Sequence, residues 1–176
     1  MDEVVRLRQW TDADLGAFAE MNADPEVMRF FPRRLSPQES AALMGRLRSA
    51  IDRRGWGLWA VEVGGELAGM TGLAEPAFTA HFTPCVEIGW RLRRRFWGRG
   101  IACAAARKAE SYASATLGLA ALVSFTAEVN LRSRALMERL GFTRDPREDF
   151  MHPSLPQGHA LQRHVLYRRA LGTPAP

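Results

Sequence analysis

The stretch Val86-Glu87-Ile88-Gly89-Trp90-Arg91-Leu92, continued by Arg93-Arg94-Arg95-Phe96-Trp97-Gly98-Arg99-Gly100-Ile101-Ala102, reads as a strand, a basic glycine-containing turn and the opening of a helix. Such a turn can cradle phosphate. Gly98 and Gly100 permit backbone conformations closed to residues with a Cβ, and a helix begun near Gly100 presents unpaired N–H groups at its positive end. The alternative for the same residues is a tight turn with an ordinary helix cap. A dinucleotide-binding fingerprint would need G-x-G-x-x-G with an acidic residue about 20 positions on, and a P-loop would need Gly-Lys-Ser/Thr. Neither is present, and Lys108 is the only lysine in the chain.

Outward from this stretch the elements follow from spacing and punctuation. Val4 to Arg8 alternates as a first strand, and Thr11-Asp12-Ala13-Asp14 opens a helix with an acidic variant of the capping box, running to about Asn22. Asp24-Pro25-Glu26 predicts a short second helix through Met28, broken by Phe30-Phe31-Pro32. Ser36-Pro37-Gln38-Glu39 is a full capping box for a helix that Gly55 ends. Gly57 to Val63 and Glu66 to Leu73 flank Gly64-Gly65 and predict a hairpin. After the key strand come an alanine-rich helix over 101–116, a strand over 121–126, a helix over 131–140 closed by Gly141, extended chain at 142–144 and a last strand over 164–169. The order suits one domain over residues 1–172, an α+β arrangement with a mixed central sheet flanked by helices, and Thr173 to Pro176 reads as a loose tail.

A second motif sits downstream: Asn130-Leu131-Arg132-Ser133-Arg134-Ala135-Leu136-Met137, then Leu140-Gly141-Phe142. By itself, Asn130 with Ser133 also reads as a helix cap with a polar first turn. The two motifs together resemble the GNAT N-acetyltransferase superfamily over nearly the whole chain. Trp97-Gly98-Arg99-Gly100-Ile101-Ala102 is similar to its R/Q-x-x-G-x-G/A pyrophosphate signature, and the second run to its N-x-x-S/A-x-x-L-Y/M-x-x-x-G-F segment. Trp97 replaces the usual Gln or Arg, a form shared with the ribosomal-protein N-terminal acetyltransferase branch and its relatives that act on small molecules. The resemblance implies a mostly antiparallel sheet with a V-shaped splay between the fourth and fifth strands. Acetyl-CoA would bind there through the backbone of Trp90, Arg91 and Leu92, the turn Trp97 to Ala102, and Asn130, Ser133 and Met137.

Acetyl transfer to an amine needs a proton acceptor for the ammonium, polarisation of the thioester carbonyl and a proton for the departing thiolate. Glu87 is the acceptor-side candidate, because relatives carry Glu at this place; its alternative is a sheet carboxylate paired with Arg91 or another Arg. Many relatives use Tyr where Met137 stands, and Met cannot donate a proton, which leaves the Ser133 hydroxyl one helical turn earlier. Phe30, Phe31, His81, Phe82 and His152 are expected to line the acceptor pocket, with the segments around Glu148-Asp149 and Gly158-His159 looping over it.

Composition narrows the class. A hydrophobic share of 47% with 24% charged residues is that of a globular protein with its own core. No run approaches the ~20 apolar residues of a membrane span, and Met1-Asp2-Glu3 lacks the regions of a signal peptide, so a cytoplasmic place is expected. The charge of +5 is carried by scattered arginines without a recognition-helix pattern, so nucleic acid is not the expected partner, and the Arg91 to Arg99 cluster is expected to face an anionic cofactor. Cys85 and Cys103 have no metal-ligand spacing and read as free thiols; His81, His152, His159 and His164 form no metal pair, and no metal is expected. The expected activity is direct acetyl transfer from acetyl-CoA to a primary amine of a small or peptide-like acceptor, by a monomer or homodimer. The alternatives are a protein N-terminal acetyltransferase and a non-catalytic CoA-binding module.

Overall fold

The computed structural model describes residues 4–172; the expected tail at 173–176 and the residues of the signal-peptide argument lie outside them. The chain runs β1 (Val5–Arg8), α1 (Leu15–Ala23), α2 (Pro37–Arg54), β2 (Leu58–Val63), β3 (Glu66–Ala74), β4 (Glu87–Leu92), α3 (Ile101–Ala115), β5 (Ala121–Ala127), α4 (Leu131–Arg139), β6 (Thr143–Arg144), β7 (Phe150–Met151) and β8 (Arg163–Ala170). The sheet order is β1-β2-β3-β4-β5-β8-β6, with β7 on β8.

Every pairing is antiparallel except β4 with β5, which touch at a single register position, Glu87 opposite Val123. Val123 N–H donates to Val86 C=O at 3.0 Å and Ser124 Oγ to Ile88 C=O at 2.9 Å. Beyond Ile88 the two strands part, which is the expected splay. On its other side β4 stays fully laddered to β3, from Glu87 opposite Ala74 to Leu92 opposite Gly69.

Strand alternation assigns the two faces. Trp59, Val61, Ile88 and Leu92 face α3: the Trp59 ring meets Tyr112 edge-on at 5.1 Å, and Val61 and Leu92 pack with Ile101 and Ala105. Ala105, Ala106, Ala109 and Ala113 are all fully buried. Their small side chains at helical spacing let α3 lie close on the sheet. The opposite face carries Ala60, Met70 and Arg91, and Arg91 reaches Asn22 of α1. Ser36 caps α2 through Glu39 N–H, and Gly55 closes it in the left-handed conformation.

Three local expectations fail. Residues 25–30 are turns, not a helix. The Asp24 side chain bonds Glu26 N–H at 2.9 Å, but Pro25 supplies no N–H and Pro32 stops any continuation, so the segment is too short for a helix to propagate. The Thr11 capping box opens a 3-10 turn (Asp12–Asp14) that leads into α1. A further short strand, β7, forms where a loop was expected, because Phe150 and Met151 find free partners in His164 and Arg163 of β8.

Candidate active site

The parting of β4 from β5 opens a cleft of about 980 Å³. Gly98, Gly100, Ile101 and Ala102 line one end of it. Gly98 and Gly100 take φ of 73° and 75°, and no side chain caps the first turn of α3. The loop therefore turns in the left-handed region and leaves the positive end of α3 facing the cleft. Trp97 Nε1 donates to Leu92 C=O at 2.9 Å, tying the loop to the end of β4.

The arginine cluster does not face this end as expected. Arg93 pairs with Glu20, Arg94 with Asp24 and Arg95 with Glu66, while Arg99 stacks near the Phe96 ring and lies outside the cleft lining. A different cation serves here. Arg132, in the first turn of α4, lies 4.7 Å over the Trp97 ring and lines the cleft, as does Arg139. An exposed cation on an aromatic face at the mouth of a phosphate-sized turn strengthens anion binding. Arg132→Ala is expected to raise the KM for acetyl-CoA about fivefold to tenfold, with an effect that shrinks in high salt. Steady-state kinetics at two ionic strengths measure it.

Trp90, Arg91 and Leu92 line the middle of the cleft, and their strand edge toward β5 carries no ladder. Across the gap stand Asn130 and Ser133. Asn130 Oδ1 accepts from Ser133 N–H at 3.3 Å and Nδ2 donates to Thr126 Oγ1 at 2.9 Å, so both ends of its amide are engaged in capping α4 and holding it to β5. Among the described residues Ser133 Oγ has no partner, whereas the neighbouring Ser124 hydroxyl is held by Ile88. Met137 is fully buried in the core and does not line the cleft. Cys103 lines the cleft from the first turn of α3; burial pushes the Cys85 thiol up, with the Glu87 charge adding to it.

At the far end Glu87 reaches into the cleft with no hydrogen bond or ion pair among the described residues, its Oε1 lying 3.8 Å from where a Cβ on Gly89 would sit. Burial pushes its carboxyl up to about 8. The alternative of pairing with Arg91 or another Arg does not occur among the described residues: Arg91 Nη1 donates to Asn22 Oδ1 at 2.6 Å and its guanidinium lies 4.0 Å from the Phe31 ring centroid. Phe30, Phe31 and His152 line the cleft. His81 and Phe82 do not: Phe82 is buried within the adjoining wall, away from the cleft lining, and His81 is exposed against Phe82 at 5.2 Å between rings.

That wall is an aromatic cluster. Phe78, Phe82, Phe125, Phe150, His152 and His164 approach one another at 4.7–6.3 Å between ring centroids, and Phe125, His152 and His164 form its cleft side. Burial lowers the pKa of both histidines, that of His164 to about 4. His152 Nδ1 accepts from Ser154 N–H at 3.2 Å, which leaves its Nε2 as the donor in the neutral ring. The histidines therefore supply neutral polar edges in an otherwise apolar wall. Among the described residues no cluster of His, Cys, Asp or Glu could hold a metal ion, and no helix is long and apolar enough to cross a membrane.

A splayed parallel pair, a glycine turn at a bare helix end and a carboxyl at the root of the splay define a class. The acetyltransferase (GNAT) domain family matches residues 5–143, and the chain belongs to that family. It is 34% identical over 131 residues to FsC-acetyl coenzyme A-N(2)-transacetylase of Aspergillus fumigatus, a match covering 70% of this chain; the chain spans 56% of that relative's length. An acetyltransferase of Agrobacterium tumefaciens shares 25% of residues at a TM-score of 0.72, over 96% of this chain and 94% of that one. RimL, a ribosomal-protein N-terminal acetyltransferase, shares the fold at a TM-score of 0.75 with 16% identity, over 94% of this chain and 90% of its own.

Proposed function

We propose that this chain transfers the acetyl group of acetyl-CoA directly to a primary amine of a small or peptide-like acceptor. The observation that carries this reading is Glu87: a carboxyl unpartnered among the described residues, at the root of the splay, its pKa lifted to about 8 by burial. A proton acceptor near the working pH is well matched to an ammonium acceptor. The residues at the donor end fit acetyl-CoA, because the bare N-terminus of α3, Arg132 and the unladdered edge of β4 line one continuous cleft. When bound there, acetyl-CoA supplies an activated thioester.

The chain's own work is then local. The uncapped amides of α3 and Arg132 bind the phosphates, and β4 orients the pantetheine arm along its free edge. Glu87 Oε1 takes the ammonium proton, directly or through water, and a β4 backbone N–H faces the charge that develops on the carbonyl oxygen. Ser133 Oγ holds a proton for the sulfur. The aromatic wall excludes water from the acceptor end and favours an acceptor with an apolar body. FsC-acetyl coenzyme A-N(2)-transacetylase bears a name that specifies acetyl transfer from coenzyme A to a nitrogen, which supports an amine acceptor. The free thiols Cys85 and Cys103 suit a reducing, cytoplasmic setting.

The test is release of free CoA thiol by purified protein given acetyl-CoA and an amine panel. Acceptor-dependent release is expected, reduced about tenfold or more in Ser133→Ala. Cofactor binding without release across the panel would instead assign the chain to CoA sensing.

A further inference from the structure

We propose that the acceptor carries a carboxylate in addition to its amine, and that Arg91 receives that carboxylate. The proposal rests on the acetyl-transfer reading above and adds the chemical class of the acceptor.

Positions 87, 89 and 91 share one face of β4, so the Arg91 side chain points to the same side of the sheet as Glu87. Its guanidinium is held in a fixed plane, with Asn22 Oδ1 accepting from Nη1 at 2.6 Å and the Phe31 ring 4.0 Å away. Asn22 is itself fully buried and anchored by a bond to Ser40 Oγ at 3.3 Å. Both partners are neutral. Among the described residues Nε is buried without a hydrogen bond and Nη2 has no partner. No carboxylate of the described residues pairs with Arg91, although Arg93, Arg94 and Arg95 each have one.

Burial lowers the Arg91 pKa to about 10, which still leaves the group charged at neutral pH. A buried cation with neutral neighbours is costly to keep unless something at the site requires it. Here the charge is oriented and half-enclosed at the wall of the cleft, which is the arrangement that recognises a planar anion with two oxygens. The donor's phosphates have other seats, at the α3 terminus and Arg132, on the far side of Leu92. The acids lining the cleft are Glu26 and Glu87, against Arg91, Arg132 and Arg139, so a polycationic acceptor is poorly matched. An amine-and-carboxylate acceptor satisfies Glu87 and Arg91 together.

Matched pairs test this: ω-amino acids and dipeptides against their C-terminal amides, with acetyl-CoA, for the wild type, Arg91→Gln and Arg91→Lys. The wild type is expected to prefer the carboxylate member by at least about tenfold in kcat/KM. Arg91→Gln should bring the ratio to near unity through the acceptor KM, with the acetyl-CoA KM changed less than about twofold, and Arg91→Lys should keep part of the preference. A wild-type ratio near one, a preference that survives in Arg91→Gln, or a change confined to the acetyl-CoA KM would each overturn the proposal. Equilibrium binding of the same pairs to the CoA-loaded protein reads the preference without turnover. Carboxylates that bind no better than amides also overturn it, whereas a carboxylate preference in binding without acetyl transfer supports the Arg91 site and counts against the acetyl-transfer reading alone.

Discussion

Glu87→Gln is expected to lower kcat/KM about 10²-fold to 10³-fold and to abolish the rise of the rate with pH. The carboxyl must lose its proton before it can accept one from the substrate. With its pKa near 8, kcat/KM of the wild type should climb through neutral pH and level off above about pH 8, provided the acceptor's own titration is separated by varying its pKa. Gln keeps the shape and cannot take the proton, so the limb disappears while acetyl-CoA binding, made at the other end of the cleft, is unchanged. The same substitution carries a stability signature. Between the unfolded value of 4.5 and the folded value of about 8 the native protein holds a proton that the unfolded chain releases, so stability falls as pH rises through that window. Because Glu87 keeps one side toward the cleft, the decline is taken as about 2 kcal/mol, well under the full shift. Thermal melts of the two proteins should accordingly converge at pH 5, with the variant the more stable at pH 9.

Gly69→Ala should be strongly damaging, and its damage falls on the strand that forms the cleft. Gly69 takes φ of 156° opposite Leu92, and a Cβ there would lie 2.2 Å from Arg91 O and 2.7 Å from Leu92 Cα. Those are backbone atoms of the strand that forms the cleft, so no rotamer can relieve the overlap and β4 itself must move. Overpacking of this kind costs about 1–3 kcal/mol, and the unfavourable dihedral adds about 1 kcal/mol or more. The expected loss is about 3 kcal/mol by denaturant titration, with acetyl-CoA affinity reduced in whatever fraction remains folded. By contrast a Cβ on Gly98 or Gly100 would meet nothing within 4 Å, so substitutions there act through the loop's dihedrals and its approach to phosphate.

How much of this was legible in the sequence depended on whether a feature is local. The strand-turn-helix at 86–102 and the capping box at Ser36 are written in adjacent residues, and both form as expected. Glu87 could be chosen because it lies in that local stretch, at the place where the family it resembles carries Glu. The arginine cluster misled because its acids lie elsewhere: Glu20, Asp24 and Glu66 are brought to it only by packing of α1 and the β2–β3 hairpin. Likewise Phe78, Phe125, Phe150 and His164 are spread along the chain and meet only because β5, β7 and β8 pair side by side. Arg132 had a faint signal, as a cation beside Asn130 in a first helical turn, but its stacking on Trp97 is a tertiary fact. Met137 kept the family's spacing while its side chain turned into the core, where an apolar residue has more to gain.

The central claim is that the acetyl group passes directly from the thioester to an amine seated between Glu87 and the free edge of β4. A single-turnover experiment with acetyl-labelled CoA, quenched over time and separated into protein and small-molecule fractions, addresses it most directly. The account predicts that label moves to the amine in one phase, slowed in Glu87→Gln, with no labelled protein formed on the way. Label accumulating first on the protein, at Cys103 or elsewhere, and then reaching the amine at the observed rate would contradict it.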